Sequence, residues 1–250
     1  IKLIYAGIGI VIFTEVLLRT YEARLQKLHF DIRAYPFYRR MRNSKGRDPY
    51  FIERLGRKNT PIIQTSSEGI RSRIGAGKRL IMVLGCSVAE GAAFQDGDTF
   101  PGQLQKMIGE KKYGIINAGV SGYGPFQISR LLHHLIKYKP TIVLIQFLDF
   151  MRVPLYRQKI IKGKRRLQFY QGVKRISYLA AFLLKLTSRR YVSIRGPYMN
   201  RKLDKKVLWE KNKKYLDSMR DLCRKSGSEL VFLCGRHPKL KRYIIAIFGN

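Results

Sequence analysis

Acidic residues are scarce in this 250-residue chain. Only 16 Asp and Glu stand against 50 Lys and Arg, so the formal net charge is +34. A field of this sign attracts polyanions such as nucleic acid, anionic lipid headgroups or acidic glycans, although a basic surface that is merely solvated fits the count equally well. The sequence has no RRM core motif and no Cys/His finger spacing, so it does not indicate a specific nucleic-acid-binding module.

Cysteine is also rare. Cys86, Cys223 and Cys234 form no C-x-x-C pair, and their number is odd. This pattern excludes a disulfide framework and a cysteine-based metal site, and it leaves room for at most one disulfide in an oxidising compartment. The chain must therefore be stabilised by an ordinary core, for which a hydrophobic content of 45% is sufficient.

Only the N-terminus carries a long apolar run. Residues 3–18 are apolar except for Thr14 and Glu15, and a membrane-spanning helix needs roughly 20 such residues. No small-residue cleavage site follows, so we predict an uncleaved transmembrane anchor over residues 1–21; the alternative is a buried or amphipathic helix. The basic residues that follow the run favour a domain on the cytoplasmic side.

Two further segments lie outside any clear strand and helix alternation. Residues 22–77 are polar, basic and dotted with aromatic side chains, and we interpret them as a connector. Residues 176–186 are strongly apolar and predict a helix that either packs on the core or rests on a membrane surface.

Beyond the connector, short apolar runs alternate with segments of helical periodicity. The apolar runs are 80–84, 114–116, 141–147 and 229–233, and the helical segments are 100–112, 125–138 and 203–226. Continuous apolar strands separated by helices are typical of a parallel sheet that is covered on both faces. The sequence thus predicts an α/β domain over residues 78–250.

Residues capable of chemistry follow the first three predicted strands. They are Gly85-Cys86-Ser87, residues 117–122, and Leu148-Asp149. Sites in parallel α/β sheets lie beyond the carboxyl ends of the strands, so we expect these three segments to converge at one sheet edge.

Ser87 is the candidate nucleophile. It stands where a strand is expected to turn into a helix, so its hydroxyl can reach the sheet edge while backbone N–H groups face a developing oxyanion. A serine that only caps the helix fits the same short pattern. The wider sequence must separate the two interpretations.

Two longer motifs surround Ser87. Gly85-Cys86-Ser87-x-x-x-Gly91 is similar to a Gly-Asp-Ser-x-x-x-Gly block, Asp98-Thr99-Phe100-Pro101 follows it, and residues 117–124 read NAGVSGYG. Together they resemble the SGNH/GDSL hydrolase superfamily, in its bacterial membrane-anchored type.

The resemblance implies a three-layer α/β/α sandwich of the flavodoxin-like kind. Ser87 would be the nucleophile, and the backbone N–H groups of Ser87 and Gly119 would line the oxyanion hole. Esters, or acetyl groups on glycans, would be the substrates, with no metal or organic cofactor. The resemblance also implies an extracytoplasmic domain, which is opposite to the side that the flanking charges favour.

Three positions depart from the family pattern. Cys86 replaces a supporting Asp. Asp149 is nearest to the position of an Asn that donates to the oxyanion, and an ionised carboxylate cannot donate. The family base is a His three residues after an Asp; His237 is the candidate, but Cys234 occupies the Asp position. We therefore expect the domain to continue beyond Asn250.

These observations predict a serine esterase or O-acyltransferase that acts through a Ser87 ester on a glycan or lipid ester, close to a membrane. The alternative, which the three departures favour, is a catalytically inactive SGNH-like module that binds acidic glycans or an anionic membrane. Charge alone suggests a third class, a nucleic-acid-binding protein.

Overall fold

A computed structural model describes residues 2–24, 30–31, 39–40, 42–47, 60–71, 79–109, 113–147, 169–187 and 205–234. The chain divides into two compact units. The smaller unit combines Ile1–Lys27 with Leu155–Lys202, and the larger combines Leu28–Pro154 with Leu203–Asn250.

The strands, in chain order, are β1 (Phe30–Asp31), β2 (Arg39–Arg40), β3 (Lys45–Gly46), β4 (Ile63–Gln64), β5 (Arg79–Gly85), β6 (Tyr113–Gly119), β7 (Ile142–Phe147) and β8 (Glu229–Cys234). The helices are α1 (Lys2–Arg24), α2 (Ser87–Glu90), α3 (Phe100–Ile108), α4 (Pro125–Leu135), α5 (Tyr178–Thr187) and α6 (Lys205–Ser226), and residues 169–176 are also helical.

The larger unit is built on a four-stranded parallel sheet with the order β6-β5-β7-β8. Alternate residues of each strand point to opposite faces, and both faces are covered. Met82 and Leu84 of β5 pack in a core with α4 and α6, whereas Ile81 and Val83 pack with α2 and α3. The predicted α/β fold with a parallel sheet between helical layers is therefore confirmed.

Two predicted helices end earlier than their periodicity suggests. α3 ends at Ile108, because Gly109 adopts a positive φ of 71°, a conformation that favours glycine and terminates helices. α4 ends at Leu135 and continues as a single 3-10 turn, Ile136–Tyr138. Neither change alters the strand order.

The predicted membrane anchor over residues 1–21 is not shown by the structure. Residues 1–21 do fall largely within a helix, α1, but no helix in the described part of the chain combines the length and the apolar content required to cross a bilayer.

Glu15 joins α1 and α5 of the smaller unit. Its carboxylate accepts hydrogen bonds from the backbone N–H groups of Tyr178 and Leu179, both at 2.8 Å, and from the Ser177 hydroxyl at 3.0 Å. Donation by the Leu179 and Tyr178 amides lowers the pKa of Glu15 to about 2. Glu15 thus caps α5, and the helix that we expected near residues 176–186 pairs with α1.

A second carboxylate, that of Glu68, hydrogen bonds the described end of the connector to α4 and the turn that follows it. Glu68 is 8% exposed and accepts from His134 at 2.7 Å, Lys137 at 2.8 Å and the Tyr138 hydroxyl at 2.6 Å. Burial raises the pKa of Glu68, but hydrogen bonds from Lys137, Tyr138 and His134 outweigh it and bring the pKa to about 2. We call this contact the Glu68 junction.

Candidate active site

Ser87 lies where β5 ends and α2 begins. Cys86 is buried and has an extended backbone, whereas Ser87 is exposed as the first residue of the helix. Ala89, two residues later, is fully buried against the sheet. The turn therefore presents the Ser87 side of α2 to solvent and keeps Ala89 in the core.

The segment after β6 lies directly beside this turn. Gly85 and Gly119 are register partners at the ends of β5 and β6, and the Val120 amide donates to the Gly85 carbonyl at 3.0 Å. A Cβ atom on Gly119 would lie 2.3 Å from the Glu90 nitrogen, so only glycine fits against α2 here. The predicted convergence of the first two segments is confirmed.

The buried Glu90 side chain connects these two segments. It is 1% exposed, and its carboxylate accepts hydrogen bonds from both the backbone amide and the hydroxyl of Ser121. Sequence reasoning missed this role, because Ser87-x-x-Glu90 has the spacing of a helix capping box. The structure shows that Glu90 instead fixes the glycine-rich loop after β6.

Arg71 holds the other side of α2. Its buried guanidinium donates to the Glu90 carbonyl at 2.8 Å and to the Gly91 and Phe94 carbonyls, and it pairs with Asp96 at 2.6 Å. No motif in the sequence indicates this contact, since Arg71 belongs to the connector. Its four acceptors fix the loop that leaves α2.

The Gly119 amide, which the family resemblance assigns to the oxyanion hole, has an internal partner in this structure. It donates to Asn117 Oδ1 at 3.1 Å, and Asn117 Nδ2 in turn donates to the Glu90 carbonyl at 3.4 Å. For this amide to bind an oxyanion, the Asn117 side chain must move.

The third predicted segment, Leu148-Asp149, lies outside the described residues, but the strand before it, β7, reaches the site through Gln146. Gln146 is the register partner of Gly85, and the Cys86 thiol donates to Gln146 Oε1 at 3.5 Å. Sequence reasoning stressed Asp149 and overlooked Gln146, because it reads as part of an apolar strand. Asp149 lies outside the described residues, so its role stays a prediction.

Neither of the two histidines that the structure describes is hydrogen bonded to Ser87. His133 is hydrogen bonded to Ser218 at 3.1 Å and His134 to Glu68 at 2.7 Å, and burial lowers the pKa of His133. Within the described ranges, nothing is hydrogen bonded to the Ser87 hydroxyl, and no cluster of three His, Cys, Asp or Glu could hold a metal ion. His29 and His237 lie outside those ranges.

No family model and no curated protein matches the chain. Among solved structures, it is similar to TesA with a TM-score of 0.38 and 18% identity, covering 67% of this chain and 68% of TesA. It is similar to AlinE4, described as an SGNH-hydrolase family esterase, with a TM-score of 0.26 and 17% identity over 71% of this chain and 96% of AlinE4. A variant of Axe2, an acetyl xylan esterase from Geobacillus stearothermophilus, gives a TM-score of 0.27 and 17% identity over 62% of this chain and 76% of Axe2. The chain is thus similar, over about two thirds of its length, to solved structures that include an SGNH-family esterase.

Proposed function

We propose that this protein is a serine esterase or O-acyltransferase of SGNH type, with Ser87 as its nucleophile. The observation that carries the proposal is the exposure of Ser87 at the start of α2, while residues on both sides of the turn are buried against the glycine loop after β6. Helix capping by a serine does not require a close-packed loop beside it.

The chemistry follows from a hydroxyl at this position. Ser87 Oγ attacks the carbonyl carbon of an ester and forms a new C–O bond, and the tetrahedral intermediate expels the alcohol when the old C–O bond breaks. A general base takes the serine proton and passes it to the leaving alkoxide. Water then releases the acid from the acyl-enzyme in an esterase, and a glycan or lipid hydroxyl accepts the acyl group in an acyltransferase. We propose His237 as the base, on the family resemblance of its sequence position.

The test is labelling of the intact protein by a fluorophosphonate probe, together with turnover of p-nitrophenyl acetate. Ser87→Ala should abolish both, because the proposed acyl intermediate forms on the Ser87 hydroxyl. Ser226→Ala is the matched control, since Ser226 is exposed at the end of α6 and hydrogen bonds only locally. Folded wild-type protein that neither labels nor turns over ester would instead support the inactive binding module.

A second candidate function, binding to an anionic membrane, is favoured by the smaller unit. Large apolar side chains that are at least 43% exposed cover α1 and α5: Tyr5, Ile8, Ile10, Val11, Ile12, Phe13, Val16, Leu17, Tyr21, Phe182, Leu183 and Leu186. Leu155–Lys202 also contains 14 Lys and Arg and no Asp or Glu. We propose that this apolar and basic unit docks on an anionic bilayer surface, since apolar patches of this size rarely face water.

Flotation of the full chain with vesicles tests this second proposal. We expect binding to vesicles that contain phosphatidylglycerol and weaker binding to pure phosphatidylcholine, with the difference reduced at high salt. Phe13→Asp combined with Phe182→Asp should abolish flotation. Met107→Asp, which changes an exposed apolar side chain of the larger unit, should leave it intact. Equal flotation of all three proteins would contradict the proposal.

A further inference from the structure

A serine esterase needs hydrogen-bond donors that point at the oxyanion. Of the donors expected from the family pattern, one is already hydrogen bonded here and one is replaced by an acceptor. The Gly119 amide is hydrogen bonded to Asn117 Oδ1. The position nearest to the family's donating Asn holds Asp149, whose ionised carboxylate only accepts. The Ser87 amide is the remaining expected donor, and a further side-chain donor would make up for the two that are lost.

Gln146 lies at the right place to do so. It occupies the same face of β7 as Ile142 and Leu144, which pack with Ala89 of α2, because residues two apart share a face of a strand. Its register partner is Gly85, two residues before Ser87. Gln146 is partly exposed, so its side chain borders both the Ser87 turn and solvent.

The Cys86 thiol determines which end of the Gln146 amide is available. The thiol donates to Oε1 at 3.5 Å, so the carbonyl oxygen of the amide is the atom that Cys86 engages and Nε2 is left for another partner. In the part of the chain that the structure describes, Nε2 has no hydrogen-bond partner. The site thus holds an amide donor on a side chain that contacts Cys86, the residue before the candidate nucleophile.

We propose that Gln146 Nε2 donates a hydrogen bond to the oxyanion that forms when Ser87 attacks an ester carbonyl, and that Cys86 is a positioning residue that orients the amide. This inference rests on the proposed esterase function. It also gives Cys86 a role where the family pattern has an Asp, because a thiol donates to the glutamine carbonyl and an ionised carboxylate cannot.

Steady-state kinetics on the full chain tests the role of Gln146. Removal of one oxyanion donor lowers kcat by about 100-fold or more, so Gln146→Leu should lose about that much while KM changes little. Gln146→Glu keeps the shape, replaces the donor by an acceptor and should lose at least as much. Gln103→Leu, which alters an exposed amide of α3, is the matched control and should retain wild-type kcat.

Cys86 provides the second arm. Cys86→Ser keeps a donor for Oε1 and should retain most of kcat, whereas Cys86→Ala should lower kcat by about tenfold with KM little changed, since a misplaced donor loses part of its effect. A core defect would instead lower the melting temperature of both variants. This serine rescue separates positioning from packing.

The two ways of failing are distinguishable. If folded wild-type protein shows no turnover and no Ser87 labelling, the esterase proposal fails. If wild type turns over ester and Gln146→Leu and Gln146→Glu both retain its kcat, the esterase proposal stands and the assignment of Gln146 is overturned.

Discussion

The sheet edge at Ser87 and the Glu68 junction both join distant parts of the larger unit, but they do so by different means. At the sheet edge, backbone meets backbone: Gly85 is paired with Gly119, and Gly119 packs on the backbone of α2. At the Glu68 junction, one carboxylate accepts from three side chains of α4 and the turn that follows it.

This comparison indicates which contacts tolerate substitution. Where two backbone segments pack so closely that no Cβ atom fits between them, an added side chain cannot be accommodated by a small shift, because both segments belong to fixed elements. A side-chain junction can exchange its lost hydrogen bonds for water, since the Lys137 side chain is about half exposed. We therefore expect changes at the sheet edge to cost more than changes at the junction.

The largest effect is expected from Gly119→Ala. The new Cβ would lie 2.3 Å from the Glu90 nitrogen and 2.6 Å from the Ala89 carbonyl carbon, so α2 or the loop must shift. We expect a loss of about 3 kcal/mol in the free energy of unfolding, measured by urea denaturation. Gly97→Ala is the control, because its Cβ would meet only the flexible end of Lys106. Equal stability of the two variants would refute close packing at Gly119.

A smaller effect is expected from Glu68→Gln. The substitution keeps the shape but removes the charge that accepts from Lys137 and Tyr138, and it should lower the free energy of unfolding by about 1–3 kcal/mol. Glu229→Gln, at an exposed position of β8, should change it by less than about 0.5 kcal/mol.

The effect of Glu68 should also depend on pH in a defined direction. The pKa of Glu68 is lowered from 4.5 to about 2 in the folded protein, so its ionised form stabilises the fold fully above pH 4.5. That contribution is lost as the pH falls from 4.5 towards 2. The difference in unfolding free energy between wild type and Glu68→Gln should shrink over this range, and a constant difference would show that the ionic contacts contribute nothing.

The smallest effect should come from the smaller unit, where a carboxylate meets backbone amides. Glu15→Ala removes the acceptor of the Tyr178 and Leu179 N–H groups, so these two amides should exchange with deuterium faster while global unfolding barely changes. Thr14→Ala is the control, because its hydroxyl bonds only within α1. In wild type, protection should persist above pH 4.5 and fall as the pH drops towards 2. Unchanged exchange in Glu15→Ala would contradict capping of α5.

Much of the sheet could be predicted from the sequence, because the strands of a covered parallel sheet are continuous apolar runs. The runs at 80–84, 141–147 and 229–233 all proved to be strands of one parallel sheet. Ser87 and the loop after β6 could be placed as well, since strand ends in such a sheet meet at one edge. Gln146 and Glu90 could not, because one reads as a strand residue and the other as part of a helix cap.

The local sequence is enough to show the periodicities, the excess of positive charge and the succession of strands and helices along the chain. Each of these features depends only on residues that are near one another in the sequence. The order of the strands within the sheet, β6-β5-β7-β8, the pairing of α5 with Glu15 and the contact between Cys86 and Gln146 are set by folding of the whole chain. These contacts join residues about 60 to 160 positions apart, and such partners are selected by packing of the whole chain, which no local pattern encodes.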